Sequence, residues 1–501
     1  MLKRPAVLDP ACRSRKEHRR FSHIPGFPGR LDLYFTAAAA LILLTAGCAS
    51  GPEYVKPEVP VPPAWREEAP WKEATPADEI PRGAWWEIFG DDALSELEET
   101  VHDANMDLAG AAARIAQARA AAGIAEADVR PAGSLDPSAE RRRTADDLSS
   151  GGSGTVSNTL RAPVDMTYEL DLFGRVRRSV EASRSELEAA GADYQALLLS
   201  LQAETASNYF ALRSLDAQIR LLERTLDLRQ KSFDLVETLY RNGQVSRLDL
   251  ARAEAELASA RADMAVLARQ RASGEHALAV LAGENPSGFT MPPRPLAFDS
   301  EVPAIDPGLP STLLERRPDI AAAERRLAAA NANLGVARAA YFPSITLTGS
   351  AGYASDELGS LFNWGNRTWA FGPFASLPLF DGGRRKQGAA LARARWDEAV
   401  TVYRQKVLMG FSEVESALSD LWFLSNQFDA LRQAVTSSRE AADLTNRRYR
   451  AGRVSYLEVV LSERTALASE VLAVRVLGQR LQACVTLIKA LGGGWKDADP
   501  S

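Results

Sequence analysis

The sequence predicts a mixed α and β membrane protein, in which long helical hairpins and long two-faced strands recur in two tandem copies. Three observations carry this reading. Stretches of sequence recur about 210 residues apart. Two long segments contain no proline. Two further segments alternate between apolar and polar residues.

The recurrence comes in three ungapped blocks. Asp107-Leu108, Arg114, Gly123 and Pro131 match Asp319-Ile320, Arg326, Gly335 and Pro343. Leu172-Phe173 with Arg177-Arg178 matches Leu379-Phe380 with Arg384-Arg385. Tyr240-Arg241-x-Gly243-x-Val245-Ser246-x-Leu248 matches Tyr449-Arg450-x-Gly452-x-Val454-Ser455-x-Leu457, and Glu254 and Gly283 extend that block to Glu463 and Gly492. A period this long marks a duplicated domain rather than a solenoid. The division that follows is a leader over 1–47, an anchor and extended tether over 48–84, repeats over 85–292 and 307–495, a linker over 293–306 and a tail over 496–501.

No proline falls between Pro163 and Pro286 or between Pro378 and Pro500. Each of these segments is broken near its middle by the Gly243 or Gly452 motif, where a glycine ends one helix and a serine starts the next. The first arm, 175–241, holds 67 residues and is about 100 Å long at 1.5 Å per residue. Its return arm, 245–284, is shorter, and the helix expected at 105–130 supplies the missing length. The second copy sets 384–450 against 454–492 and 319–341. In each copy two short helices are expected to stack end to end beside one long one.

Between the short helix and the long arm the period changes to two. Val156, Leu160, Ala162, Val164, Met166, Tyr168 and Leu170 share one face, and Ser157, Thr159, Arg161, Asp165, Thr167 and Glu169 the other. Ile345, Leu347, Ala351 and Tyr353 likewise oppose Ser344, Thr346, Thr348 and Ser350. That alternation predicts strands near 132–146, 155–170, 342–354 and 367–380, paired as one hairpin per copy. The first strand is the least regular, since Pro137 interrupts it and Arg141 and Arg143 fall on the apolar face. A soluble four-stranded sheet packed on helices fits the pattern, and so do strands with one face to lipid and one to a lumen. The secretory leader, and the expectation that no apolar helix is long enough to span a bilayer, favour the lipid-facing reading. Open strand edges are too costly in lipid. Four strands are too few to close a barrel, so if these strands span a membrane the chain must share its barrel with copies of itself.

The N-terminus carries eight Lys or Arg within 1–30, then an apolar run from Leu33 to Ala46, then Gly47-Cys48. Basic region, apolar core and small-residue site form a secretory signal. Ala46-Gly47-Cys48 resembles a bacterial lipobox, which implies cleavage before Cys48 and its acylation by diacylglycerol and palmitate. The sequence departs from the usual pattern in having Thr45 where Leu is common. Ala49 lacks the Asp associated with retention at the inner membrane. Residues 51–84 are proline-rich and extended. Cys12, Cys48 and Cys484 offer no disulfide framework, and Cys484 is expected to be a packed core residue. A net charge of −6 argues against a nucleic-acid binder. With only His102 and His276 in the mature chain and no phosphate loop or nucleophile motif, the sequence reads as no enzyme.

Taken together, Trp85-Trp86-x-x-Phe89-x-Asp91-x-x-Leu94, Asn105-x-Asp107-Leu108, Ala118-Arg119-Ala120, Tyr168-Glu169-Leu170-Asp171-Leu172-Phe173-Gly174-Arg175, Leu379-Phe380-Asp381-Gly382-Gly383-Arg384 and the two glycine hairpins resemble a TolC-like outer membrane factor. The branch is the NodT-type lipoproteins that serve resistance-nodulation-division pumps. The resemblance implies a homotrimer with a twelve-stranded barrel above a twelve-helix tube, lipid-anchored in the outer membrane of a Gram-negative bacterium. It implies a periplasmic adaptor and an inner-membrane pump as partners, and no cofactor beyond the acyl groups.

The resemblance also places Gly243, Val245, Ser246, Gly452, Val454 and Ser455 at a periplasmic tip where an adaptor docks; a plain helix-turn-helix cap accounts for each equally. Relatives close the same tip with a Tyr at the position of Tyr449 and an acid at that of Asp249. An Arg common two residues after the second glycine is Val454 here, flanked by Arg450 and Arg453. An acidic ring position is Leu461, while Glu458 and Glu463 lie near it. Glu458 is therefore expected to line the constriction, and Arg450 or Arg453 to pair with Asp249 across helices. The function implied is an exit duct for drugs or other small toxic compounds. The alternatives are a type I protein-secretion duct of the same fold, or a non-conducting periplasmic coiled-coil spacer.

Overall fold

The computed structural model describes residues 53–57, 83–145, 154–303, 305 and 316–493. The leader, Cys48, most of the tether, part of the linker and the tail lie outside these residues. The elements run α1 (Asp92–Ala104), α2 (Met106–Ala127), β1 (Ala132–Leu135), β2 (Ser138–Arg143), β3 (Val156–Leu170), α3 (Arg175–Arg241) and α4 (Arg247–Leu281). Then follow α5 (Pro318–Ala339), β4 (Ser344–Ser355), β5 (Arg367–Ser376), α6 (Arg384–Arg450) and α7 (Tyr456–Ala490).

The long helices α3 and α6 each hold 67 residues, and α4 and α7 each hold 35. Each long helix starts under a carboxylate. Asp171 accepts from the Val176 and Arg177 amides at 3.1 and 2.8 Å, and Asp381 from the Gly383 and Arg385 amides at 2.9 and 3.2 Å. These bonds satisfy N–H groups that a helix start leaves unpaired, which explains the acid in both Leu-Phe motifs.

The helices form one layer. Helix α3 packs against α2 and α5 toward the sheet, and against α4 and α7 away from it. Helix α6 packs against α5 and α7. Short helices therefore meet end to end beside the long ones, α2 on α4 and α5 on α7. At the first joint Asn105 Nδ2 donates to the Leu281 carbonyl at 2.9 Å. At the second, Arg317 donates to the Ala490 carbonyl at 3.0 Å. Both joints are tight: a Cβ on Gly283 would stand 2.3 Å from the Ala104 carbonyl oxygen, and one on Gly492 would stand 2.9 Å from that of Arg316.

Helix α1, with the 3₁₀ turn Trp85–Phe89 before it, buttresses the first joint and was not foreseen from sequence. Trp85 Nε1 donates to Gln202 at 3.2 Å. Asp91 caps α1 and also accepts from Tyr209 at 2.9 Å, from Arg294 at 2.8 Å and from Arg213. The paired-Trp motif is thus a wedge that ties α1 to α3. Inside it Glu98 has no exposed surface, and both its carboxyl oxygens lack a hydrogen-bond partner among the described residues. Burial alone pushes its pKa up to about 9.

The sheet is antiparallel throughout, with β1 and β2 on one flank of β3, then β4, then β5. The strand expected over 132–146 is two strands, because Asp136-Pro137 interrupts the ladder. The strand expected over 367–380 stops at Ser376, ahead of Pro378. Register places Leu170, Tyr168, Met166 and Val164 beside Ile345, Leu347, Gly349 and Ala351, with Phe371 and Trp369 beyond them. One face is therefore apolar and exposed, with Trp369 at 78% and Phe371 at 75% of full accessibility.

One expectation is corrected. Helix α7 is long and apolar enough to cross a bilayer. It is a core helix of the layer: Val476, Leu477, Leu481, Val485, Leu487 and Ile488 are buried. Cys484 is buried with them, as expected, and burial pushes its thiol up to about 12.

Candidate functional site

The end of the helical layer farthest from the sheet gathers the residues singled out from sequence. Both hairpin turns have the same backbone. The Gly243 amide donates to Tyr240 and the Gln244 amide to Leu239, each at 2.9 Å. The Gly452 and Arg453 amides repeat this with Tyr449 at 2.8 Å and Arg448 at 3.0 Å. These paired bonds define a Schellman motif, whose C′ residue needs positive φ. Gly243 and Gly452 supply φ of 70° and 67°. Ser246 and Ser455 then start α4 and α7 with identical φ of −79° and ψ of 158°.

The two turns share one apolar cluster of Val236, Leu250, Ala253, Tyr456, Val459 and Val460, with Val245 and Tyr449 against it. The Tyr449 and Tyr456 rings lie 5.8 Å apart. Burial, and then the Asp249 charge, hold the Tyr449 phenol above its ordinary range. The structure thus brings Asp249, Tyr449 and Val245 together, while Val454 is half-buried and Arg450, Arg453 and Glu458 point to solvent.

The acids divide by role. Asp249 closes a capping box: its carboxylate accepts from the Ser246 hydroxyl at 2.6 Å, and its amide donates to Ser246 Oγ at 3.2 Å. Among the described residues it forms no ion pair within the chain with Arg450 or Arg453. Glu463 accepts from Asn446 Nδ2 at 2.9 Å and so braces α7 on α6. The Glu458 carboxylate has no hydrogen-bond or ion-pair partner among the described residues, and Ser455 makes no side-chain cap.

Sequence reading missed Glu256. Its carboxylate pairs with Arg229 of α3 at 3.3 Å and with Arg464 of α7 at 2.6 Å, and Arg229 also donates to the Glu256 carbonyl at 2.8 Å. Glu256 and Arg229 are buried, so this triad locks both hairpins just above the tip. The available signal was a charge inside the buried stripe of Leu250, Ala253, Leu257 and Ala260.

The profile of the family described as "Outer membrane efflux protein" matches residues 99–284 and 309–493. Outer membrane protein OprJ of Pseudomonas aeruginosa is 35% identical over 465 residues, covering 92% of this chain and 96% of that protein. Toluene efflux pump outer membrane protein TtgF of Pseudomonas putida is 34% identical over 463 residues, covering 91% and 96%. The solved structure of the outer-membrane channel OprN superposes with a TM-score of 0.79 at 33% identity, over 89% of this chain and 100% of that one.

Proposed function

The chain belongs to the outer membrane efflux protein family and is the outer-membrane exit duct of a tripartite efflux pump; we propose that it conducts as a homotrimer. The observation that carries assembly with further copies of the chain is the sheet; the number three follows from the family resemblance. Its apolar face is exposed, and it ends on two unpaired edges, β1 with β2 on one side and β5 on the other. Strands β1 and β2 run away from the helices and β5 runs back toward them, so one chain's β5 can pair antiparallel with the next chain's β1 and β2. Three copies give a closed twelve-stranded barrel, with Thr346, Thr348 and Ser350 on the lumen side and no edge left in lipid. The helical layers close beneath it in the same way. Helix α6 exposes Leu391, Val402, Leu408, Trp422 and Phe423, a surface suited to a neighbouring helix.

On this reading the two copies of the repeat do the same structural work, and Cys48 carries the acyl anchor. The tip is the gate and the docking point for a periplasmic adaptor that links the duct to a resistance-nodulation-division pump. Glu458 lines the constriction. Asp249 keeps its cap and also faces Arg450 or Arg453 of a neighbouring chain.

Single-channel recording of detergent-purified protein in planar bilayers tests the proposal. A heat-dissociable trimer with stepwise, cation-preferring conductance is expected. A polypeptide that is monomeric and water-soluble once its acyl chains are removed, with the strands folded, would overturn it. Glu458→Gln is expected to reduce cation preference, and Asp249→Ala to raise closed-state conductance. Wild-type behaviour of either variant removes that residue from the gate.

A further inference from the structure

The chain carries a template for its contact with a neighbour, because its two repeats already touch each other once. Element starts fix the equivalent positions. Met106 of α2 corresponds to Pro318 of α5, Arg175 of α3 to Arg384 of α6, and Arg247 of α4 to Tyr456 of α7, and the two members of each pair have equal length. The offset is therefore 212 residues for the short first helix and 209 for the other two. Helix starts, rather than the match of Leu172-Phe173 with Leu379-Phe380, set the second value. Contacts inside each repeat obey these offsets. The strand pair Ala132 with Thr167 becomes Ser344 with Ser376. Asn105 with Leu281 becomes Arg317 with Ala490, Ala104 with Gly283 becomes Arg316 with Gly492, and Gln230 with Arg261 becomes Arg439 with Glu470.

Between the repeats the chain forms one helical seam, α3 of the first against α5 and α7 of the second. Ala192 meets Ala321 and Ala322 there. Asp193 pairs with Arg326, and Glu188 with Arg325 at 3.5 Å. Farther from the sheet, a Cβ on Gly478 would stand 2.8 Å from the Ser214 Cβ. The reverse seam, α6 against α2 and α4, is not among the helix packings of the described residues. Its two faces are open: Thr401 and Phe423 of α6 are exposed, and so are Ala109, Arg114 and Arg269 of α2 and α4.

We propose that α6 of one copy docks on α2 and α4 of the next in the register that α3 takes on α5 and α7. The inference rests on the trimer reading above and adds the register to it. The offsets turn Ala192 against Ala321 and Ala322 into Thr401 against Ala109 and Gly110. A Cβ on Gly110 would meet only Arg114 Nη1, at 3.8 Å, so this face has room for a neighbour. The offsets also turn the two ion pairs into Asp397 opposite Ala113 and Val402 opposite Arg114. One acid and one base survive on a diagonal, and Arg114 reaches Asp397 across the seam. Arg393, 3.3 Å from Asp397 within α6, shares that carboxylate. Farther from the sheet, Ser214 against Gly478 becomes Phe423 against Arg269. A close contact of small residues is replaced by arginine on an aromatic ring, an attractive pairing, which gives a partner to a phenylalanine left 63% exposed in the single chain. The two kinds of seam share a register and differ in chemistry.

Disulfide cross-linking of the detergent-purified full chain tests the register. Alanine side chains touch only through Cβ, so the level of Ala192 is where paired cysteines come within disulfide range. Thr401→Cys with Ala109→Cys or with Gly110→Cys is expected to give covalent trimers on a non-reducing denaturing gel. The yield should be about tenfold or more above that of Thr401→Cys with Ala116→Cys, which stands ~10 Å along the helix. Buried Cys484 stays in place, and single-cysteine variants set the background. Equal yields, or none with either Ala109→Cys or Gly110→Cys, would overturn the register. Arg114→Asp is expected to speed heat dissociation of the trimer about two- to fivefold, and adding Asp397→Arg to reverse it. No reversal would overturn the ion pair. A semi-denaturing gel of the unoxidised wild-type chain reports the trimer separately. No trimer there removes the reading beneath the proposal, whereas a trimer that cross-links only at Ala116→Cys removes the register alone.

Discussion

The two helix joints do the same job with different chemistry. At the first, Asn105 is a neutral amide. Its Nδ2 reaches the Leu281 carbonyl, while its Oδ1 accepts from the Asp107 and Leu108 amides at 2.9 and 3.1 Å. One side chain both caps α2 and ties it to α4. At the second, the matching residue is Arg317, which cannot accept a hydrogen bond. It ties α5 to α7 through the Ala490 carbonyl and is itself held by Asp319, at 2.9 and 3.0 Å, and by Glu413 of α6. The first joint is a local bond between neutral groups. The second is a charge network across three helices, and its stability is correspondingly tied to ionisation.

That contrast can be broken by substitution. Arg317→Ala leaves Asp319 without its cation and the Ala490 carbonyl without a donor, and is expected to cost about 3–5 kcal/mol. Asn105→Ala removes a cap and one tie, and is expected to cost about 1–2 kcal/mol. Local opening energies from amide exchange at residues 279–283 and 488–492 measure both; equal losses would mean the two joints are energetically alike.

Ionisation gives the next effect, with opposite signs at the two joints. Glu98, beside the first joint, is neutral when folded, with a pKa raised from 4.5 to about 9. Its stabilising contribution is fully present below about 4.5 and is lost as pH rises through about 9. Glu98→Gln should therefore stabilise the first joint by about 3 kcal/mol at pH 7 and abolish its weakening toward alkaline pH. At the second joint, burial raises the Asp319 pKa, but the Arg317 hydrogen bond and charge outweigh it and hold the carboxyl low. That contribution is present above the ordinary carboxylate pKa and is lost as pH falls through the depressed value. Asp319→Asn should remove the acid-side loss at 488–492 and leave 279–283 unchanged. Exchange profiles from pH 4 to 9 check both signs.

The smallest effect separates the tips. Ser246→Ala breaks a capping box and should cost about 1 kcal/mol, whereas Ser455→Ala should cost a few tenths, because Ser455 makes no cap bond. Exchange at 247–250 and 456–459 distinguishes them.

What was legible in the sequence was local. The bounds of α3 and α6 were readable because a Schellman glycine and the residues just ahead of each start act within one turn. The strand faces were readable because alternation is a nearest-neighbour property. Helix α1 was missed because its apolar face, Leu94, Leu97 and Val101, is short and follows a proline-rich tether. The kinship of Asn105 and Arg317 was missed because a repeat is recognised by identity, and these two share only a role. Arg141 and Arg143 counted against a strand until register paired them with Asn158 and Val156 of β3. Asp249 was readable as important, but its cap competes with the ion pair expected of it. Glu458 remained a matter of resemblance, since its carboxylate has no hydrogen-bond or ion-pair partner among the described residues.

The sheet begins on a strand running outward and ends on one running inward. A further copy can always be added without breaking the up-and-down alternation, so hydrogen bonding between strands carries no information about how many subunits belong in the ring. In the ring proposed above, that count would be set below, by the angular width that four packed helices allot to each sector. Substitutions that change helix-to-helix spacing, rather than any in the strands, are therefore the ones that would change the stoichiometry.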